Sequence, residues 1–289
     1  MGEQKLRRYN EIVVDSIDEI YQLIDKYNKD YAMPRIGGNT EVRAFYRGQA
    51  DSSWNIEPSI VRCTVNEREQ YLNNQFKLKG KDLFEQFAYL QHYMPGTRLI
   101  DFTKNPNVAL YFACSSNPLT DGAMYIYSYA SHRAEWVDTI IFTEIMQMDE
   151  EGVMKIKDFS EMLYQKYEIV RIKYSSISEL SMNLMAYLDH GYMVYPSKES
   201  KKNNIRLMNQ QGVFYICGVK FVKPITSEMR LETRAGDNEF ICHSVQVPNL
   251  ERWGRSLVKV IINVRLKPLI LEHLEKIGIT EEYLFPDKK

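Results

Sequence analysis

The stretch that most constrains the fold is Gln91–Ala113, QHYMPGTRLIDFTKNPNVALYFA, because it carries two strong backbone signals with a short polar segment between them. Before it, Leu83, Phe84, Phe87 and Leu90 recur at helical spacing. Pro95-Gly96 ends that helix: proline lacks a donor, and glycine accepts backbone angles that other residues avoid. Asn105-Pro106 starts the next one, with Asn105 as cap and Pro106 in the first turn, where its missing N–H costs nothing. Val108, Ala109 and Phe112 give this second helix a small apolar face. The expectation is two helix ends joined by a polar turn that holds Thr97, Arg98, Asp101 and Thr103 together as a site.

Around this centre the chain alternates helix and strand signals. Ser16 and Glu19 form a capping box ahead of Ile17, Ile20, Tyr21, Ile24 and Tyr27, so 16–30 is predicted helical. EVRAFYRGQ alternates and reads as a strand ending near Gly48, with Trp54 as a packing anchor beyond it. Residues 66–80 read as helix, and 122–129 and 135–141 as strands. From 142 to 188 the pattern is helical, with Ile177, Leu180, Leu184 and Leu188 on one face. Short strands follow at 192–195, 213–217, 231–233, 239–241 and 256–264, and KPLILEHLEKIG closes as a helix ended by Gly278. Helices early and strands late predict an α+β fold, a central mixed or antiparallel sheet flanked by helices. We read residues 1–289 as a single domain with 142–190 as a helical insertion.

Composition narrows the function. With 37 basic and 38 acidic residues the net charge is −1, so nucleic acid is not indicated as a partner. No apolar run approaches the ~18 residues of a membrane span, and the N-terminal MGEQKLRRYN lacks the apolar core of a signal peptide, so no membrane is expected. Cys63, Cys114, Cys217 and Cys242 share no metal-binding spacing; no metal is expected, and free thiols fit a cytoplasmic protein. Phosphate-loop, dinucleotide, zinc-protease and nucleophile-elbow motifs are absent. Of the five histidines only His92, at the helix end feeding the polar segment, is a candidate ligand residue.

The side chains themselves suggest anion binding. Arg47, at a strand end beside Gly48, suits bidentate recognition of phosphate or carboxylate, with the glycine letting a ligand approach the backbone. Arg98 can do the same or pair with Asp101. Thr97 and Thr103 can donate to a ribose or phosphate, or cap helices. Tyr93, Phe102 and Tyr111 can stack a flat ring or belong to the core.

Several of these segments together carry a family signature. Phe45-Tyr46-Arg47-Gly48-Gln49, Glu57-Pro58-Ser59-Ile60-Val61-Arg62, Gln91-His92-Tyr93, Thr97–Thr103 and Ala109–Ala113 occur in order, followed by Arg206, Gln210–Phe214 and Leu284-Phe285-Pro286. The sequence resembles the FRG-domain family, named for a Phe-Arg-Gly motif, with a tyrosine inserted here before the arginine. More distantly, the order of motifs is similar to that of ADP-ribosyltransferases. That similarity implies a related sheet, NAD as substrate, Arg47, Gln210 and Gln211 as catalytic residues, and Tyr46, Gly48, His92, Thr97, Arg98, Asp101, Thr103 and Arg206 as ligand-binding ones. It implies an enzyme of phage–host conflict or a toxin, possessing a protein target. The alternative is a non-catalytic module that senses a nucleotide or other anionic small molecule, or binds a protein. Glycosidic cleavage of NAD needs a carboxylate near the ribose. Gln210 and Gln211 stand where that carboxylate is wanted, with Glu232 and Glu239 as possible substitutes.

Overall fold

The protein is described from a computed structural model, over residues 10–30, 33–36, 40–64, 83–93, 96–133, 136–146, 148, 152–197, 202, 204–223, 235–242 and 257–286. The strands are β1 Asn10–Val14, β2 Met33–Ile36, β3 Thr40–Gln49, β4 Leu99–Thr103, β5 Gly122–Arg133, β6 Val153–Lys155, β7 Tyr192–Tyr195, β8 Gly212–Ile216, β9 Glu239–Ile241 and β10 Leu257–Ile262. The helices are α1 Ile17–Asp30, α2 Leu83–Tyr93, α3 Pro106–Cys114, α4 Val137–Met146, α5 Ile156–Lys166, α6 Glu168–Lys173, α7 Ile177–Tyr187, α8 Ile205–Asn209, α9 Lys267–Lys276 and α10 Glu281–Leu284. The fold is α+β, as the sequence predicts.

Eight strands form one sheet that curls onto itself. β3 pairs antiparallel with β5 from Glu41↔Ser131 to Gln49↔Ala123. The other edge of β5 is shared: its first half binds β10, and its last three residues bind β7 in parallel. β7 pairs with β8, β8 with β4, and β4 returns to β3, which closes a five-stranded ring. Side chains alternate across each strand. Phe45, Ile100, Phe102, Tyr125, Tyr127, Val213, Tyr215 and Cys217 fill the interior of the ring. Outward-facing Ala44, Tyr46, Met124 and Ile126 pack against α1, α3 and α9. On the opposite side Leu99, Phe214 and Ile216 meet α2 and the helices α4 to α7. Strands buried on both faces read as nearly continuous apolar runs.

Three expectations need correction. The polar segment before α3 is a strand: Leu99, Ile100 and Phe102 are buried on both sides of β4, and only Asp101 is exposed. Residues 137–146 form one helix, although 135–141 are predicted to be a strand. Eight of them are buried, so this helix has no polar face to reveal a helical period. Trp54 is 45% exposed, and its hydrogen bonds are main-chain ones, its amide donating to the Asp51 carbonyl and its carbonyl accepting from the Tyr125 hydroxyl; Ile56, 1% exposed, does the packing. The predicted helix 66–80 and strand 231–233 lie outside the described residues. Among the described residues no helix is long and apolar enough to cross a membrane.

Candidate functional site

The site originates in a fault in the barrel wall. β3 and β4 pair at one position only, Tyr46↔Thr103. Beyond it the strands part, and the Arg47 side chain takes over: its Nη1 donates to the Asp101 carbonyl at 2.7 Å. At this seam lies a cavity of about 230 Å³. β3 lends it Tyr46, Arg47 and Gly48; β4 lends Asp101, Phe102 and Thr103; α3 lends Val108, Ala109 and Phe112. The far wall comes from the late chain and includes Arg206, Gln210 and Phe214.

Two guanidinium groups therefore share one cavity. Arg47 is half-buried, and its Nε has no hydrogen-bond partner. Burial lowers its pKa; Asp101 opposes that shift, and the neighbouring Arg62 reinforces it. An arginine keeps its charge throughout. Arg206 lies over the Phe285 ring at 4.5 Å, and its Nε is likewise without a partner. Phe285 packs edge-on against Phe112 at 5.9 Å, so the chain end holds Arg206 against the α3 wall. Among the described residues neither arginine makes an ion pair.

Other residues singled out in the sequence serve the fold. Arg98 is 1% exposed and does not line the cavity; its Nη2 donates to the Gly218 carbonyl. Burial raises the pKa of Cys217 to about 12, against the opposing pull of Arg98 and Arg47. Thr97 is fully buried and is not among the lining residues. Thr103 lines it, but its hydroxyl donates to the Gln210 carbonyl at 2.7 Å and accepts from the Asn105 amide at 2.9 Å. Tyr46 is among the lining residues, while its hydroxyl donates to Asn28 at 2.6 Å. Burial raises the Tyr46 pKa to about 12.

Gly48 is there for the helix. A Cβ on it would fall 1.9 Å from the Ala109 carbonyl oxygen and 2.7 Å from the Ala113 amide. Gly48 also lines the cavity. Gln210 lines the cavity, yet its Nε2 donates to the Leu284 carbonyl at 3.1 Å. Gln211 is exposed, outside the lining, and sits in the left-handed region at φ 48. Its carbonyl accepts from the Lys104 amide. Glu239 pairs β9 with β6 and is not part of the lining; Glu232 and the His92 side chain lie outside the described residues.

Sequence reasoning missed Gln91, Phe112 and Phe214, which also line the cavity. Gln91 adjoins His92 in the same motif, a signal that was available; the two phenylalanines look like ordinary core residues.

The elements from β3 through α3 that build the near wall fall inside a recognisable unit, since residues 42–121 match the FRG domain. The chain carries an FRG domain. No curated protein and no solved structure matches the chain. The FRG domain supplies Arg47, Gln91, Asp101 and Phe112 to the cavity, whereas Arg206, Gln210 and Phe214 lie beyond the matched residues.

Proposed function

We propose that the seam cavity binds a nucleotide through its phosphate, and that binding is its function. The observation that carries this reading is the pair Arg47 and Arg206, two guanidinium groups lining one cavity, with neither in an ion pair among the described residues. Such forks match phosphate geometry and are the side chains best suited to it. At about 230 Å³ the cavity is smaller than the ~300–1,000 Å³ typical of drug-sized sites. One phosphate with the group attached to it fits inside, and the rest of a larger ligand such as NAD would project outward. Transfer of ADP-ribose has less support. Among the described residues Asp101 is the one carboxylate of the lining, and the amide of Gln210 is committed to the Leu284 carbonyl.

Thermal denaturation in the presence of AMP, ADP-ribose, NAD or inorganic phosphate tests the reading. Millimolar nucleotide should raise the melting temperature, and Arg206→Met should abolish the rise while leaving the unliganded protein nearly as stable. No shift with any of these probes would refute it. Incubation with NAD followed by mass spectrometry separates binding from turnover: released nicotinamide would establish the enzyme reading in its place.

A further inference from the structure

We propose that the cavity selects the ribose phosphate part of a ribonucleotide, with Asp101 accepting from the vicinal ribose hydroxyls; this rests on the nucleotide reading above. The argument is one of hydrogen-bond direction. Thr97 Oγ1 accepts from the Leu99 amide at 3.1 Å, and its one proton goes to Gln91 Oε1. That bond orients the Gln91 amide. The Gln91 Nε2 then faces Asp101 and donates to Oδ2 at 2.8 Å. Asp101 is thereby held as an acceptor, with one oxygen engaged and the other without a partner among the described residues.

This carboxylate lines the same cavity as Arg47 and Arg206, and the Asp101 main chain holds Arg47 in place. A ligand matching the set carries an anionic group for the arginines and hydrogen-bond donors a few ångströms away for Asp101. A bare phosphate brings the carboxylate charge repulsion and no neutral hydroxyl, only the acidic O–H of its protonated forms. A ribose 5-phosphate offers two adjacent hydroxyl donors, and its carbon face can rest on Phe112 and Phe214. The base would then lie outside, leaving the site indifferent to base identity.

Calorimetric titration of the full chain with AMP, GMP, 2′-deoxy-AMP, ribose 5-phosphate and inorganic phosphate tests this without relying on a variant. AMP, GMP and ribose 5-phosphate should bind within a few-fold of one another. Removing the 2′-hydroxyl should weaken binding about tenfold, the worth of one hydrogen bond. Asp101→Asn should weaken AMP by about the same factor and leave 2′-deoxy-AMP unchanged or tighter, since a repelling charge is gone. If 2′-deoxy-AMP and phosphate match AMP in the wild-type chain, the ribose assignment fails while the nucleotide reading stands. If no probe binds, the nucleotide reading fails and the assignment goes with it.

Discussion

Arg47, Arg98 and Arg206 have the same side chain and different tasks, and what separates them is where their hydrogen bonds go. Arg98 is sealed in the barrel and donates to Gly218, 120 residues away in sequence. Arg206 rests on an aromatic ring at the edge of a cavity, with no ion pair among the described residues. Removing the first leaves a buried acceptor without its donor; removing the second forfeits a stacking contact. Arg98→Met should cost roughly 2–4 kcal/mol of unfolding free energy, and Arg206→Met less than about 1 kcal/mol. Urea denaturation of the two variants side by side checks the ordering. Equal losses would mean that Arg206 is as structural as Arg98. None of this was legible in the sequence, which places Arg98 inside the most polar motif of the chain. Burial depends on partners that only the closed ring brings together.

Helix α3 and strand β3 show which local signals survive folding. Asn105 caps α3, its side chain accepting from the Asn107 amide at 3.0 Å, just as the Asn-Pro pair announces. Ser16 likewise accepts from the Glu19 amide at the start of α1, although the Glu19 carboxylate returns to the Asp15 amide rather than to Ser16 itself. Gly96, at φ 104, occupies a conformation few other residues adopt, and the sequence marks that turn plainly. Caps and turns are legible because their partners lie within a few residues. β4 was not, because its pairing with β3 and β8 is long-range and Asp101 and Thr103 gave it a polar look. Gly48 lines the cavity, and nothing in the sequence announces its second constraint, the close approach of the α3 backbone. Gly48→Ala must therefore push the helix off the strand, and it should cost more than about 3 kcal/mol, beyond ordinary overpacking. A melting curve for the variant indistinguishable from wild type would show that α3 yields easily and that glycine is kept for a ligand after all.

For the molecule as a whole, the two-sided burial of the barrel should appear in its response to alkali. Burial raises Cys114 and Cys217 from a usual 9.0 to about 12, and Tyr46 from 10.0 to about 12. Tyr21, Tyr111 and Tyr187 are raised as well, burial being the largest cause for each. A group that holds its proton longer when folded than when unfolded favours the fold only while the unfolded chain is also protonated. As pH climbs past 9 the unfolded chain begins to lose thiol protons that the folded chain keeps, and past 10 it loses phenol protons too. Stability then falls with pH until the folded values are reached. Lys267 works the other way. Buried among the carbonyls of Ala50, Ser116 and Asn117, it has a lowered pKa and gains as alkali neutralises it. One lysine stands against two cysteines and several tyrosines, so the net slope is downward. Unfolding free energy measured in urea should be level, as far as these groups go, up to pH 9 and decline steadily from there toward pH 12. Replacing both Cys114 and Cys217 with alanine should lower stability at every pH and move the start of the decline to about pH 10, where the tyrosines take over. A profile flat through pH 11 would mean that these side chains are far better solvated than the closed ring and its helices imply.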